Sequence, residues 1–92
     1  MMKRSREYEI RTIDQYGDAI DIVDTFPSTR GGYKLAVEAM NQYLEGEAVA
    51  VVLELTTFIS DPSGQGLKDI DNGDVIDYIG DTDALKEGGW IK

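Results

Sequence analysis

Carboxylates are the side chains of this sequence best able to do chemistry, and they are gathered into two runs. Asp14, Asp18, Asp21 and Asp24 fall between residues 12 and 28 with no base among them. Asp69, Asp71, Asp74, Asp77, Asp81 and Asp83 fall between residues 69 and 83, again with none. Clustered oxygens on a tight turn can surround a hard cation, and Asp69, Asp71, Asn72 and Asp74 are close enough along the chain to try. Their spacing argues against it. With Gly73 at the glycine position of an EF-hand loop, the first and third ligand positions fall on Lys68 and Ile70, which do not ligate. Paired carboxylates also serve glycoside hydrolysis, but 92 residues leave little room for a cleft that would hold a sugar and separate two pKa values.

Other chemistry is excluded by what the chain lacks. It has no cysteine and no histidine, which removes disulfides, thiol nucleophiles, the usual zinc sites, histidine bases and the common triads. Ser28-Thr29-Arg30-Gly31-Gly32 could offer free N–H groups to an anion at a helix start, yet it matches no phosphate-loop pattern and sits in a negative field. It reads as a loop and cap. The expectation is therefore a binding protein with no catalytic residues, no cofactor and no metal.

Length and charge bound the rest. A chain of 92 residues builds one core and is read as a single domain. Its 41% hydrophobic and 29% charged residues are the balance of a globular protein. Eighteen acids against nine bases give a formal charge of −9, which argues against direct binding to nucleic acid. The bases are uneven: Lys3, Arg4 and Arg6 make residues 1 to 6 a short basic segment. No stretch has the apolar length of a membrane span, and Met1-Met2-Lys3-Arg4-Ser5-Arg6 lacks the apolar core of a secretion signal. A cytoplasmic location is expected.

The elements that must carry the carboxylates follow from periodicity. Tyr8, Ile10 and Thr12 alternate with charged residues and predict a strand over 7–14. Gln15-Tyr16-Gly17-Asp18 is turn chemistry, and 19–26 predicts a second strand with Ile20, Ile22 and Phe26 on one face and Val23 on the other. Pro27 ends it. Ser28 or Thr29 caps a helix over 30–45, where Tyr33, Ala36, Val37, Met40 and Leu44 recur at helical spacing before Gly46. Residues 47–59 are rich in β-branched side chains and predict a central strand. Val49, Val51, Leu53, Leu55 and Ile59 share its core face; Ala50, Val52, Glu54, Thr56 and Phe58 make a mixed opposite face. Water, a second copy of the chain, or the tail ending in Trp90 and Ile91 must meet that face. Beyond the loop at 60–66, Leu67–Ile70 and Val75–Ile79 around Asn72-Gly73 read as a second hairpin.

The fold class expected is α+β, an antiparallel sheet of four or five strands with one helix packed on one face. Both hairpins hold a similar string, Gly17-Asp18-Ala19-Ile20-Asp21-Ile22 and Gly73-Asp74-Val75-Ile76-Asp77-Tyr78, which any two hairpins would favour without duplication. Tyr33 and Tyr43 sit at core or rim positions of the helix. Tyr16 on its turn, Tyr78 and Trp90 are the aromatic contact candidates, and Trp90 equally suits closing the core.

Display of carboxylates to a basic partner is the chemistry that remains. Strands place alternate side chains about 6.6 Å apart on one face, on the scale of a phosphate ladder. At class level the chain resembles the small acidic proteins that phages and mobile elements use against host restriction or CRISPR systems. The resemblance lies in the hairpin, helix and strand from Tyr8 to Leu55 and in the acidic runs Asp14–Asp24 and Asp69–Asp83. It implies a non-catalytic inhibitor that binds a host nucleic-acid-binding complex through a DNA-mimic-like surface. That surface would hold Asp14, Asp18, Asp21, Asp24, Asp69, Asp71, Asp74 and Asp77, with Tyr16, Tyr78 and Trp90. An acidic immunity or adaptor protein for another basic partner has the same electrostatics.

Overall fold

The computed structural model describes residues 3–60, 67–69 and 73–92, with side chains described over 5–57 and 73–92. Five strands and two helices follow in the order β1 (Lys3–Ile13), β2 (Ala19–Pro27), α1 (Arg30–Met40), β3 (Ala50–Ser60), β4 (Leu67–Asp69), β5 (Asp74–Gly80) and α2 (Thr82–Glu87). Every pairing is antiparallel. The sheet runs β2-β1-β3, and both β4 and β5 lie along the remaining edge of β3. The class is α+β, as the periodicity predicts. No helix among the described residues is long and apolar enough to cross a membrane.

β3 explains why the sheet is covered on both sides. Its unbroken apolar stretch puts Val51 and Leu53 on one face and Ala50 and Val52 on the other, and all four are fully buried. Val51 and Leu53 pack with Ile10, Ala36 and Met40, so α1 closes the first face. Ala50 and Val52 pack with Ile13 and Leu85, with Trp90 and Ile91 against them. The tail covers this end of the second face.

α1 starts where a capping residue predicts. Thr29 is the cap, its Oγ1 accepting from Gly32 N–H at 2.9 Å. Gly32 is required there, because a Cβ would fall 1.9 Å from the Pro27 carbonyl oxygen. The helix is shorter than its spacing predicts: it ends at Met40 and tightens into a single 3₁₀ turn over Asn41–Tyr43. Tyr43 stays on the core, but Leu44 leaves the series and is exposed. Gly46, at φ 60°, then turns the chain toward β3.

Two further expectations are corrected by register. Ile10 opposes Asp24 while Arg11 opposes Ile22, and Thr12 opposes Asp21 while Ile13 opposes Ala19, so Val23 and Ile20 are each an extra residue on β2. Such a bulge exchanges the faces beyond it. Val23 therefore joins Phe26 under α1, whereas Ile20 and Ile22, expected on one face with Phe26 and apart from Val23, are 45% and 42% exposed. The second correction concerns Asn72-Gly73. β4 and β5 both run antiparallel to β3, so they run in the same direction and cannot form a hairpin with each other. Phe58 opposes Asp69 and Leu55 opposes Asp74, so β4 and β5 each pair with β3 along the same edge. Asn72 lies outside the described residues; Gly73, at φ 80°, seats against Glu54 and Thr56.

The second face has two fastenings. Arg11 Nε donates to Glu54 Oε1 at 2.6 Å, with the Glu54 side chain only 3% exposed. The Arg11 guanidinium also lies 5.7 Å from the Trp90 ring centroid. Trp90 Nε1 in turn donates to the Gly17 carbonyl at 2.8 Å, where the chain backbones nearly touch. A Cβ on Gly88 would come 2.1 Å from Gly17 O.

Two outcomes are expected. Arg11→Ala should lower stability by about 3 kcal/mol in denaturant unfolding, because it strands a buried carboxylate. Glu54→Leu in the same background should restore much of that loss, and equal instability in the double variant would refute the account. Gly88→Ala should lift the tail, shifting Trp90 emission to the red and costing about 2 kcal/mol. An unchanged spectrum would show that the close contact is not needed.

Candidate acidic docking surface

The two aspartate runs are placed on opposite edges of the sheet. Asp18, Asp21 and Asp24 belong to the first turn and to β2, and Asp74 and Asp77 to β5, with β1 and β3 between them. They do not form one surface. Asp69 opposes Phe58 in β4, and Asp71 lies outside the described residues.

Several of these carboxylates serve the backbone. Asp14 Oδ1 accepts from the N–H groups of Tyr16 and Asp18 at 2.9 and 3.0 Å, which builds the first turn. Asp21 Oδ1 accepts from Ile22 N–H, Asp24 Oδ1 from Thr25 N–H and Asp77 Oδ1 from Tyr78 N–H, each at 2.8 to 2.9 Å. An N–H that turns to the preceding carboxylate is withdrawn from pairing with another strand, and a charge beside it repels one. This is the role common to the two similar strings, since both strands are sheet edges. Asp81, in the second run, caps α2 through Asp83 and Ala84 N–H.

Asp24 and Asp77 have a second task. Tyr43 donates to Asp24 Oδ2 at 3.0 Å and Tyr33 to Asp77 Oδ2 at 3.1 Å. The helical segment is thereby tied to both edges of the sheet, with Tyr33 also edge-on to Tyr8 at 5.8 Å. The hydrogen bond to Asp77, then its charge, raises the Tyr33 hydroxyl above its ordinary 10.0. Tyr43 is raised likewise by its bond to Asp24, then by burial and charge.

Four of the exposed carboxylates lie around the turn end of the first hairpin, while Glu38, Asp74, Asp81, Asp83 and Glu87 are exposed elsewhere. Asp18 and Asp21 lie at that turn end, and the segment between α1 and β3 adds Glu45 and Glu47. Glu45 and Glu47 border the same hollow as Asp21. Among the described residues none of these four forms an ion pair, in contrast to Arg11–Glu54. Sequence reasoning overlooked Glu45 and Glu47 as site residues; the signal was Gly46, whose turn brings both beside β2. Tyr16, at 68% exposure, stands at the tip of this end. Tyr78 is exposed on β5 opposite Val52, away from it. Trp90 is half-buried and fastened to Gly17, so it closes the core and is not a free anchor.

Among the described residues no three acids converge closely enough to hold a metal ion. The arrangement can present negative charge beside aromatic and aliphatic contacts. No family model, curated protein or solved structure matches this chain.

Raised tyrosine pKa values mean that folding favours the protonated hydroxyls. Their contribution is whole below the ordinary tyrosine pKa and is lost as pH rises through the folded values. In an alkaline titration followed by tyrosinate absorbance, Tyr33→Phe and Tyr43→Phe should each remove a late-titrating component. If neither substitution removes a late component, the two hydrogen bonds are contradicted.

Proposed function

We propose that this protein is a non-catalytic inhibitor that binds a basic, nucleic-acid-handling complex of a host defence system, of the CRISPR or restriction kind. It docks by the acidic end of its first hairpin. The observation that carries this reading is that Asp18, Asp21, Glu45 and Glu47 stand together at one end without an ion pair among the described residues. A surface of like charges is unfavourable to maintain alone, and it gains when a cationic partner replaces water and counterions. With a net charge of −9 the chain is repelled by DNA and attracted to the groove that DNA would occupy.

The aspartates do not all contribute equally. Asp14 and Asp24 hold the first turn and its edge in place and so support the surface, while Asp77 and Asp81 serve the far edge and α2. Asp18 and Asp21 are the exposed members of the surface, with Glu45 and Glu47 beside them. Steering by such charges acts mainly on the association rate and fades within about 8 Å at physiological ionic strength.

The reading is tested on a panel of purified restriction nucleases and CRISPR surveillance complexes assayed for DNA cleavage. Stoichiometric inhibition of at least one is expected at low salt, weakening as salt rises. The Asp18→Asn, Asp21→Asn, Glu47→Gln triple variant should associate several-fold more slowly while melting like the parent. Full activity across the panel, or inhibition untouched by salt and by the triple variant, would overturn the proposal.

A further inference from the structure

Two shallow hollows meet at Glu47 beside the first hairpin. One, of about 360 Å³, lies between the hairpin turn and the segment entering β3, with Tyr16 on its wall. The other, of about 380 Å³, lies between the start of β2 and the 3₁₀ turn, walled by Ile20 and Tyr43. Glu47 lines both, so the two hollows adjoin and are taken together as one acidic groove.

Two of its apolar walls, Tyr16 and Ile20, are not explained by the core. The bulged register of β2 puts Ile20 outside, 45% exposed, and Tyr16 is 68% exposed on its turn. Large apolar side chains held in solvent on either side of a groove are contact residues for something else. The charge of the groove selects that partner. Asp14, Asp21, Glu45 and Glu47 line it, and no base does. Since these acids do not converge on a single point, an occupant must carry its positive charge spread along its length.

We propose that this groove seats an extended, arginine-bearing segment of a partner protein, with an aliphatic side chain against Ile20 and guanidinium groups over Tyr16 and Tyr43. The inference rests on the acidic-docking reading above and narrows it to one groove. Arginine suits it better than lysine because a planar guanidinium stacks on an aromatic ring while bonding carboxylates at its rim. Tyr43 is ready for that contact, since its hydroxyl bond to Asp24 holds the ring in place. Nucleic acid is refused by repulsion. Simple strand addition is disfavoured where Ile22 and Thr25 N–H are already taken by Asp21 and Asp24. Side chains therefore carry the binding.

The probe is a short synthetic peptide alternating arginine and leucine, titrated into isotope-labelled protein at low and high salt. Amide shifts should centre on Tyr16, Ile20, Gly46 and Glu47. Tyr16→Ala and Ile20→Ser should each weaken binding about tenfold with little change in its salt dependence. Asp21→Asn with Glu47→Gln should flatten the salt dependence, and Asp83→Asn with Glu87→Gln, removing equal charge from α2, should not. The analogous lysine peptide should bind more weakly. If the α2 pair weakens binding as much as the groove pair, or the shifts centre on α2, carboxylate display survives and the groove assignment falls. If the arginine peptide does not bind even at low salt, both fall. Shift mapping on the parent protein decides the matter should any variant fail to fold.

Discussion

A strand that is apolar on both faces must be covered on both, and β3 imposes this demand on the whole molecule. α1 answers it on one side through Ala36 and Met40. On the other side the described residues offer the short α2 and the tail, so Leu85 and Trp90 reach the same strand from the far end of the chain. The Arg11–Glu54 pair extends the cover where apolar contacts thin out. Its buried carboxylate is tolerable because a guanidinium lies against it and an indole lies beside that guanidinium.

The docking end is a by-product of that layout. Residues 14–18 must turn sharply so that β2 can pair with β1, and residues 41–49 must reverse so that β3 can pair on the other side. Both reversals occur at one end of the sheet, and both are acidic. The opposite end receives the start of β1 with its Lys3, Arg4 and Arg6 and the first turn of α1 with Arg30.

Much of the fold was legible in the sequence, and the failures have local causes. Periodicity found β1 and α1 because each buries a regular stripe, β2 from its alternation between turn residues, and β3 from its dense run of β-branched side chains. It misplaced Ile20 and Ile22 because a bulge leaves no compositional mark beyond an ordinary run of β-branched residues. Asn72-Gly73 misled for a different reason: the pair favours a hairpin only when the flanking strands need each other, and here both segments find β3 instead. Gly31 and Gly32, which weaken a helix start in isolation, proved to include the one residue that fits against Pro27. For the site, the carboxylates were visible and their distribution over two edges was not. Strand order is set by long-range pairing that no local run of aspartates records.

Side-chain length adds a reading of the two acidic runs. Every acid in them is aspartate, while all seven glutamates lie elsewhere. A purely electrostatic surface would be indifferent to one methylene. Reaching back to an N–H one or two residues away is not, and Asp14, Asp21, Asp24, Asp77 and Asp81 all make that reach. The longer homologue carries the same charge but extends past the donor. Aspartate-to-glutamate exchange, conservative by any charge scale, is therefore a change of backbone grammar at these five positions, and a neutral asparagine keeps more of the local architecture than a charged glutamate does.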